Sequence, residues 1–151
     1  GIYGALKFAG EKMVIGYTTG VFDLFHIGHL NILKQAKSMC DRLIVGVTTD
    51  EYVKKYKNNS PSISYADRAE IVRSIKFVDS VIPQHDHNKF EAWEKLKFDF
   101  IFVGDDWYNT QKWNEIESEF KKVDVKVIYF PRTPVVSSTK IKNDLGSKNI
   151  K

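Results

Sequence analysis

The chain has 151 residues, 42% of them hydrophobic, and a formal net charge of +4, which suits one core and leaves little room for a second. No run approaches the roughly 20 apolar residues that span a bilayer. Residues 1–12 lack the basic, apolar and small-residue order of a secretory signal, and Cys40 is the only cysteine, so an internal disulfide is excluded and a cytoplasmic protein is expected. The positive surplus suits small phosphorylated anions better than nucleic acid, because the lysines are interleaved with acids, as between Lys112 and Lys122, in the manner of a solvated surface.

In chain order, residues 1–12 read as an extension, an arm packing elsewhere or an expression remnant, ahead of a domain over 13–151. Met13-Val14-Ile15-Gly16-Tyr17 predicts a first strand, and Leu30, Leu33 and Ala36 predict a helix over 28–38. Leu43-Ile44-Val45-Gly46-Val47, within a strand over 42–48, is apolar throughout and reads as buried on both faces. Residues 54–62 are polar and are expected to form a mobile loop. A helix over 67–75, a strand over 78–83, a helix over 90–96 and a buried strand over 100–103 follow, then a helix over 113–120 and a strand over 125–130. A last helix is expected from Ser137, a good N-cap. Trp93 and Trp113 fall at core spacing. Strands alternating with helices imply a doubly wound, mostly parallel α/β sheet in a single domain. Ligands of such sheets bind beyond the carboxyl ends of the strands, where strand order reverses. The loops after Tyr17, Thr48, Val103 and Phe130 should therefore share one rim.

The first of these loops reads Thr18-Thr19-Gly20-Val21-Phe22-Asp23-Leu24-Phe25-His26-Ile27-Gly28-His29. Gly28 lets a polyanion approach the start of a helix, where free N–H groups and the helix dipole favour phosphate. His26 and His29, three apart, can face the same phosphate and donate to charge growing on its oxygens. A lone histidine in such a loop is usually an ordinary surface or core-edge residue; two bracketing a glycine at a strand-to-helix turn are a stronger signal.

His-x-Gly-His after a first strand resembles the signature of the cytidylyltransferase and adenylyltransferase superfamily. It also occurs in class I aminoacyl-tRNA synthetases, but those are far longer and carry a Lys-Met-Ser-Lys-Ser element absent here. Arg132-Thr133-Pro134-Val135-Val136-Ser137-Ser138-Thr139-Lys140 resembles the Arg-Thr-x-Gly-Ile-Ser-Thr-Thr element of cytidylyltransferases, with Val135 in place of the family's glycine. Gly104-Asp105-Asp106-Trp107 resembles an element of glycerol-3-phosphate cytidylyltransferases. The resemblance covers residues 13–145 and implies a Rossmann-like fold. The phosphate-loop and Gly-x-Gly-x-x-Gly patterns are both missing, which excludes P-loop ATPases and nicotinamide dehydrogenases.

That resemblance implies roles for particular residues. His26, His29 and Asp23 belong to the reacting centre. Thr18, Thr19, Gly20, Phe22, Gly28, Arg132, Ser137, Ser138 and Thr139 surround the nucleotide. Asp106 accepts from the exocyclic amine of cytosine, which uracil lacks; alternatively it caps the next helix. A lysine after the second strand closes over the α-phosphate, Lys57 on one alignment and Lys55 on another. Lys76 stands where the family has a basic residue contacting phosphate, and His87 lies near the acceptor. His85-Asp86-His87 reads as a polar turn rather than a metal site, and no set of fixed metal ligands is evident. The expected reaction joins the cytidylyl group of CTP to glycerol 3-phosphate, with Mg²⁺ on the nucleotide and a homodimer as the assembly. Phosphocholine or phosphoethanolamine remains open as acceptor, since Tyr65 and Trp107 could contribute to an aromatic cage. Open too are an adenylyltransferase, a silent nucleotide-binding regulatory module and a nucleic-acid-binding protein.

Overall fold

A computed structural model describes residues 12–132 of the chain; Ser137, Ser138, Thr139 and the helix expected from them lie outside the described residues. Strands β1 (Ile15–Gly20), β2 (Arg42–Thr48), β3 (Ser80–Gln84), β4 (Phe100–Gly104) and β5 (Lys126–Phe130) form one sheet, all parallel, in the order β3-β2-β1-β4-β5. The connections carry helices α1 (Ile27–Ser38), α2 (Asp50–Lys57), α3 (Tyr65–Arg73), α4 (Lys89–Leu96) and α5 (Gln111–Lys121), and a short 3-10 turn over Asp105–Trp107.

Parallel neighbours require crossovers, and a buried central strand requires cover on both sides. α1 and α3 supply one layer, where Leu33, Ala36 and Val72 meet Leu43, Val45 and Val47. α5 supplies the other, where Trp113 and Phe120 meet Tyr17, Ile44 and Ile101, with Phe90 and Trp93 of α4 packed against them. The alternation along β2 therefore serves two cores at once. Among the described residues no helix is long and apolar enough to cross a membrane.

Two boundaries differ from the sequence reading. β1 starts later than the expected strand and continues through Thr18 and Thr19 to Gly20. Val14 is held outside the ladder, its N–H donating to Asp41 Oδ2 at 2.7 Å and its carbonyl accepting from Asp41 and Arg42 at 2.8 and 3.1 Å. The segment expected as a mobile loop begins in a helix, α2. Thr49 Oγ1 caps it by accepting from Tyr52 N at 3.2 Å, Asp50 and Glu51 stand in its first turn, and Lys54, Lys55 and Lys57 in its last. Those charges complement the helix dipole. Only Val53 is buried, so the helix lacks the apolar stripe that periodicity detects.

An aspartate immediately precedes each of β2, β3 and β4 and ties its amino end to a neighbour. Asp41 binds Val14 N, Asp79 Oδ2 accepts from Leu43 N at 2.8 Å, and Asp99 Oδ2 accepts from Ile15 N at 2.9 Å. Lys37 reaches from α1 to Asp79 at 2.5 Å. These bonds satisfy N–H groups that the ladder leaves unpaired and pin the amino rim, leaving the longer loops to the carboxyl rim.

Candidate functional site

Strand order reverses at β1: the chain moves outward to β2 and β3, then returns to place β4 on the other side of β1. The crevice between the ends of β1 and β4 is thus the switch point. Thr18 stitches it internally, its hydroxyl donating to Phe102 O at 3.0 Å. The turn from β1 into α1 forces Phe22 and Leu24 to φ of 54° and 50°, a region costly for side-chain-bearing residues and concentrated at functional turns. A Cβ on Gly20 would lie 2.9 Å from the Phe22 ring, so the turn needs glycine there to seat that ring in the core.

His26 is the N-cap of α1, and the two histidines cap the helix reciprocally. Gly28 N donates to His26 Nδ1 at 3.0 Å, and His26 N donates to His29 Nδ1 at 3.2 Å. Each Nδ1 is therefore an acceptor, and in the neutral ring the proton must sit on Nε2. The arrangement replaces the Ser/Thr and Glu/Gln of an ordinary capping box with two imidazoles, and the rings lie 4.1 Å apart between centroids. His29 is braced by Phe22 at 5.5 Å and Phe25 at 5.3 Å. Phe22, expected at the nucleotide, is buried as this brace. Burial lowers the pKa of both histidines, that of His29 to about 4, with His26 adding to the effect and Asp23 opposing it. Protonation would also convert each capping acceptor into a donor. Both rings are thus neutral at physiological pH with Nε2–H free of the cap, a pair of donors at the head of a helix. Gly28, expected to let a polyanion approach the helix start, gives its own N–H to His26.

Asp23 is buried, and its two oxygens accept from Ser62 N at 2.8 Å and Ile63 N at 2.9 Å. It pins the segment after α2 against the first loop. Arg68, fully buried in α3, completes the tie. It donates to Ile63 O at 2.8 Å, Val21 O at 2.6 Å and Thr48 O at 2.8 Å, and pairs with Asp50 Oδ1 at 2.6 Å, while Asp50 Oδ2 accepts from Tyr65 N. The tie from Arg68 to Asp50 was not read from sequence, yet a signal exists: Arg68 falls on the same helical stripe as Val72 and Ile75, where a charge is out of place unless paired.

On the other side of the switch point, Asp106 and Arg132 come together from the ends of β4 and β5. Arg132 Nη2 stands 3.1 Å from Asp106 Oδ2, and both are exposed. Gly104 makes room for the carboxylate, since a Cβ there would lie 2.7 Å from Asp106 Oδ1. Lys55 and Lys57 are exposed on the last turn of α2. Lys76 is not brought to this rim. It lies between α3 and β3, at the amino ends of parallel strands, exposed beside the Phe77 ring. His87 packs edge-on against Tyr52 at 4.7 Å and Tyr56 at 5.0 Å, and burial, with Lys89 and Lys112 adding to it, pushes its pKa down to about 4. Thr19 accepts from the buried Lys89 at 2.9 Å, a residue the sequence reading passed over.

A family model described as cytidylyltransferase-like matches residues 17–144, from within β1 to beyond β5. The chain belongs to the cytidylyltransferase-like family. Among its relatives, the glycerol-3-phosphate cytidylyltransferase of Bacillus spizizenii is 39% identical over 137 residues, covering 90% of this chain and 98% of the relative. That of Staphylococcus aureus is 38% identical, covering 93% and 99%. An FAD synthase of Pyrococcus abyssi is 43% identical over 99 residues, covering 65% and 67%. Among solved structures, a lipopolysaccharide core biosynthesis protein from Thermoplasma volcanium superposes with a TM-score of 0.66 at 26% identity, covering 83% of this chain and all of that one.

Proposed function

We propose that this enzyme transfers the cytidylyl group of CTP to glycerol 3-phosphate, forming CDP-glycerol and pyrophosphate. The carrying observation is the reciprocal histidine cap, which leaves two neutral Nε2–H donors at the start of a helix beside the switch point. Relatives of nearly the same length named for this reaction support the choice of substrates.

The acceptor's phosphate oxygen attacks the α-phosphorus of CTP in line. The new P–O bond forms as the bond to the β-phosphate oxygen breaks, and the electron pair leaves with pyrophosphate. The attacking oxygen is already ionised, so no general base is needed; positioning and charge stabilisation provide the catalysis. His26 and His29 donate through Nε2 to the phosphate oxygens as charge shifts toward the leaving group. Lys57, or Lys55, reaches over the α-phosphate from the end of α2, and Arg132, Ser137, Ser138 and Thr139 hold the triphosphate. Asp106 accepts from the cytosine amine, and must then share its carboxylate with Arg132. Asp23 acts through the backbone it binds. A divalent ion, when bound, would neutralise phosphate charge; among the described residues no three His, Cys, Asp or Glu side chains converge to hold it. The enzyme works as a cytoplasmic homodimer.

Pyrophosphate release with Mg²⁺, crossing CTP and ATP with glycerol 3-phosphate, phosphocholine, phosphoethanolamine and FMN, tests the assignment. Release with CTP and glycerol 3-phosphate is the expected result. Release only with ATP and FMN would transfer the chain to the reaction for which its FAD synthase relatives are named.

A further inference from the structure

Helix α2 carries Lys55 and Lys57 on its last turn, and its 8 residues fall below the length at which a helix holds itself in water. The first turn is tied down by the Thr49 cap and by the pair that Arg68 makes with Asp50. The last turn is held by rings. Tyr52 and Tyr56, at i and i+4, stand on one face of the helix with centroids 4.9 Å apart. His87 comes from the turn between β3 and α4 and sets its ring edge-on against both, at 4.7 and 5.0 Å and at 67° to each, a geometry that aromatic pairs favour. Burial, with Lys89 and Lys112 adding to it and Asp86 opposing, keeps that ring neutral at physiological pH, so it packs as an aromatic and not as a cation.

The turn that holds His87 is fastened at both ends. Gln84, closing β3, accepts through its carbonyl from Thr49 N at 3.1 Å and through Oε1 from Thr48 Oγ1 at 2.7 Å. Asp86 Oδ1 accepts from Asn88 N at 2.9 Å, and Asn88 Oδ1 accepts from Glu91 N at 2.9 Å to cap α4. On α2, Tyr56 also lies beside a lysine: the Lys57 ammonium is 5.7 Å from its ring centroid. Directly after Lys57 the chain turns away through Asn58, at φ 57°. A line of contact therefore runs from the end of the sheet through His87 and Tyr56 to Lys57.

Resting on the cytidylyl-transfer reading, we propose that His87 is a positioning residue for the transfer step: its ring, wedged against Tyr52 and Tyr56, holds the last turn of α2, and so the lysine that reaches over the α-phosphate, in place against the strand ends. His87 itself touches neither nucleotide nor acceptor. A cation aimed at charge that develops in the transition state loses much of its effect when it is displaced by about 1 Å, so the loss of this wedge falls on kcat rather than on binding.

The test pairs steady-state kinetics, with CTP and glycerol 3-phosphate, with amide hydrogen exchange of the full chain. The proteins are the wild type, His87→Ala, His87→Phe, Tyr56→Ala, and His87→Ala added to Lys55→Ala with Lys57→Ala. His87→Ala should lower kcat about tenfold or more, keep both KM values within about threefold, and speed exchange of the amides from Val53 to Lys57 about tenfold. Tyr56→Ala should do the same. His87→Phe, a ring without a donor, should restore kcat and protection to within about twofold of the wild type. In the background lacking both lysines, His87→Ala should cost no further kcat. A kcat that Phe fails to rescue, with a raised KM for glycerol 3-phosphate, would make His87 an acceptor contact and overturn the inference. An unchanged kcat in His87→Ala beside faster exchange would reduce the stack to a structural staple, and a further loss without the lysines would cut the link to them; either result overturns it. A wild type silent with CTP and glycerol 3-phosphate overturns the cytidylyl-transfer reading and the role of His87 with it, while faster exchange in His87→Ala would then survive as a property of the fold alone.

Discussion

At the residue scale, the histidine pair does two jobs with different atoms. Nδ1 closes the helix cap and Nε2 takes no part in it, so substitutions can separate folding from chemistry. Asn at position 26 is a good N-cap, and Gln at position 29 completes a capping box, but neither presents the imidazole Nε2–H. His26→Asn and His29→Gln should each melt within about 3 °C of the wild type while kcat falls about 100- to 1,000-fold; thermal melts and turnover on the same preparations check this. The protonation of His29 makes a second prediction. Its folded pKa of about 4 lies below the ordinary 6.5, so between those values the unfolded chain binds more protons than the folded one. The stability contributed by neutral His29 is then full above about pH 6.5 and is lost as pH falls toward 4. The His29 Cε1–H resonance should titrate near pH 4, and urea midpoints should decline less on acidification in His29→Gln than in the wild type. That the two histidines come together was legible from their spacing. The reciprocal cap was not, because it depends on which ring nitrogen each side chain turns inward.

At the element scale, the candidate rim is assembled by a loop and two helices that periodicity describes poorly. α2 buries one residue and is specified by its Thr49 cap and its charge distribution, which a search for apolar stripes passes over. Arg68 makes four hydrogen bonds that tie the turn after β1, the end of β2, the segment after α2 and α2 itself to α3. Removing it strands buried carbonyls and a carboxylate together. Arg68→Met should cost about 3–5 kcal/mol in urea denaturation. Arg68→Lys should recover little of that, since an ammonium cannot span the same forked set of acceptors. The strands behaved differently. Each is a short run between helical segments, so their existence and parallel sense followed from the alternation with helices. Only β1 shifted appreciably, because the aspartates that flank the strands, rather than their hydrophobicity, set where pairing begins.

At the scale of the whole molecule, the sheet separates support from chemistry. Three aspartates fasten the amino rim, two cores clamp the faces, and the carboxyl rim gathers His26, His29, Asp106, Arg132 and Lys89. The doubly wound class, the rim and the family were all readable from the order of elements and three separated motifs. Lys76, expected to contact phosphate, stands at the opposite edge, where parallel topology sends the residues before a strand. Lys89 was missed because nothing in its neighbours marks a lysine that folds inward. The central claim is that one chemical step, attack on the α-phosphorus of CTP by a phosphomonoester, occurs at this rim. Phosphorus NMR of the purified protein with CTP, glycerol 3-phosphate and Mg²⁺ tests it most directly. The account predicts that the CTP signals give way to those of CDP-glycerol and pyrophosphate in equal amounts; CDP with inorganic phosphate, or unchanged CTP beside active turnover of ATP, would contradict it.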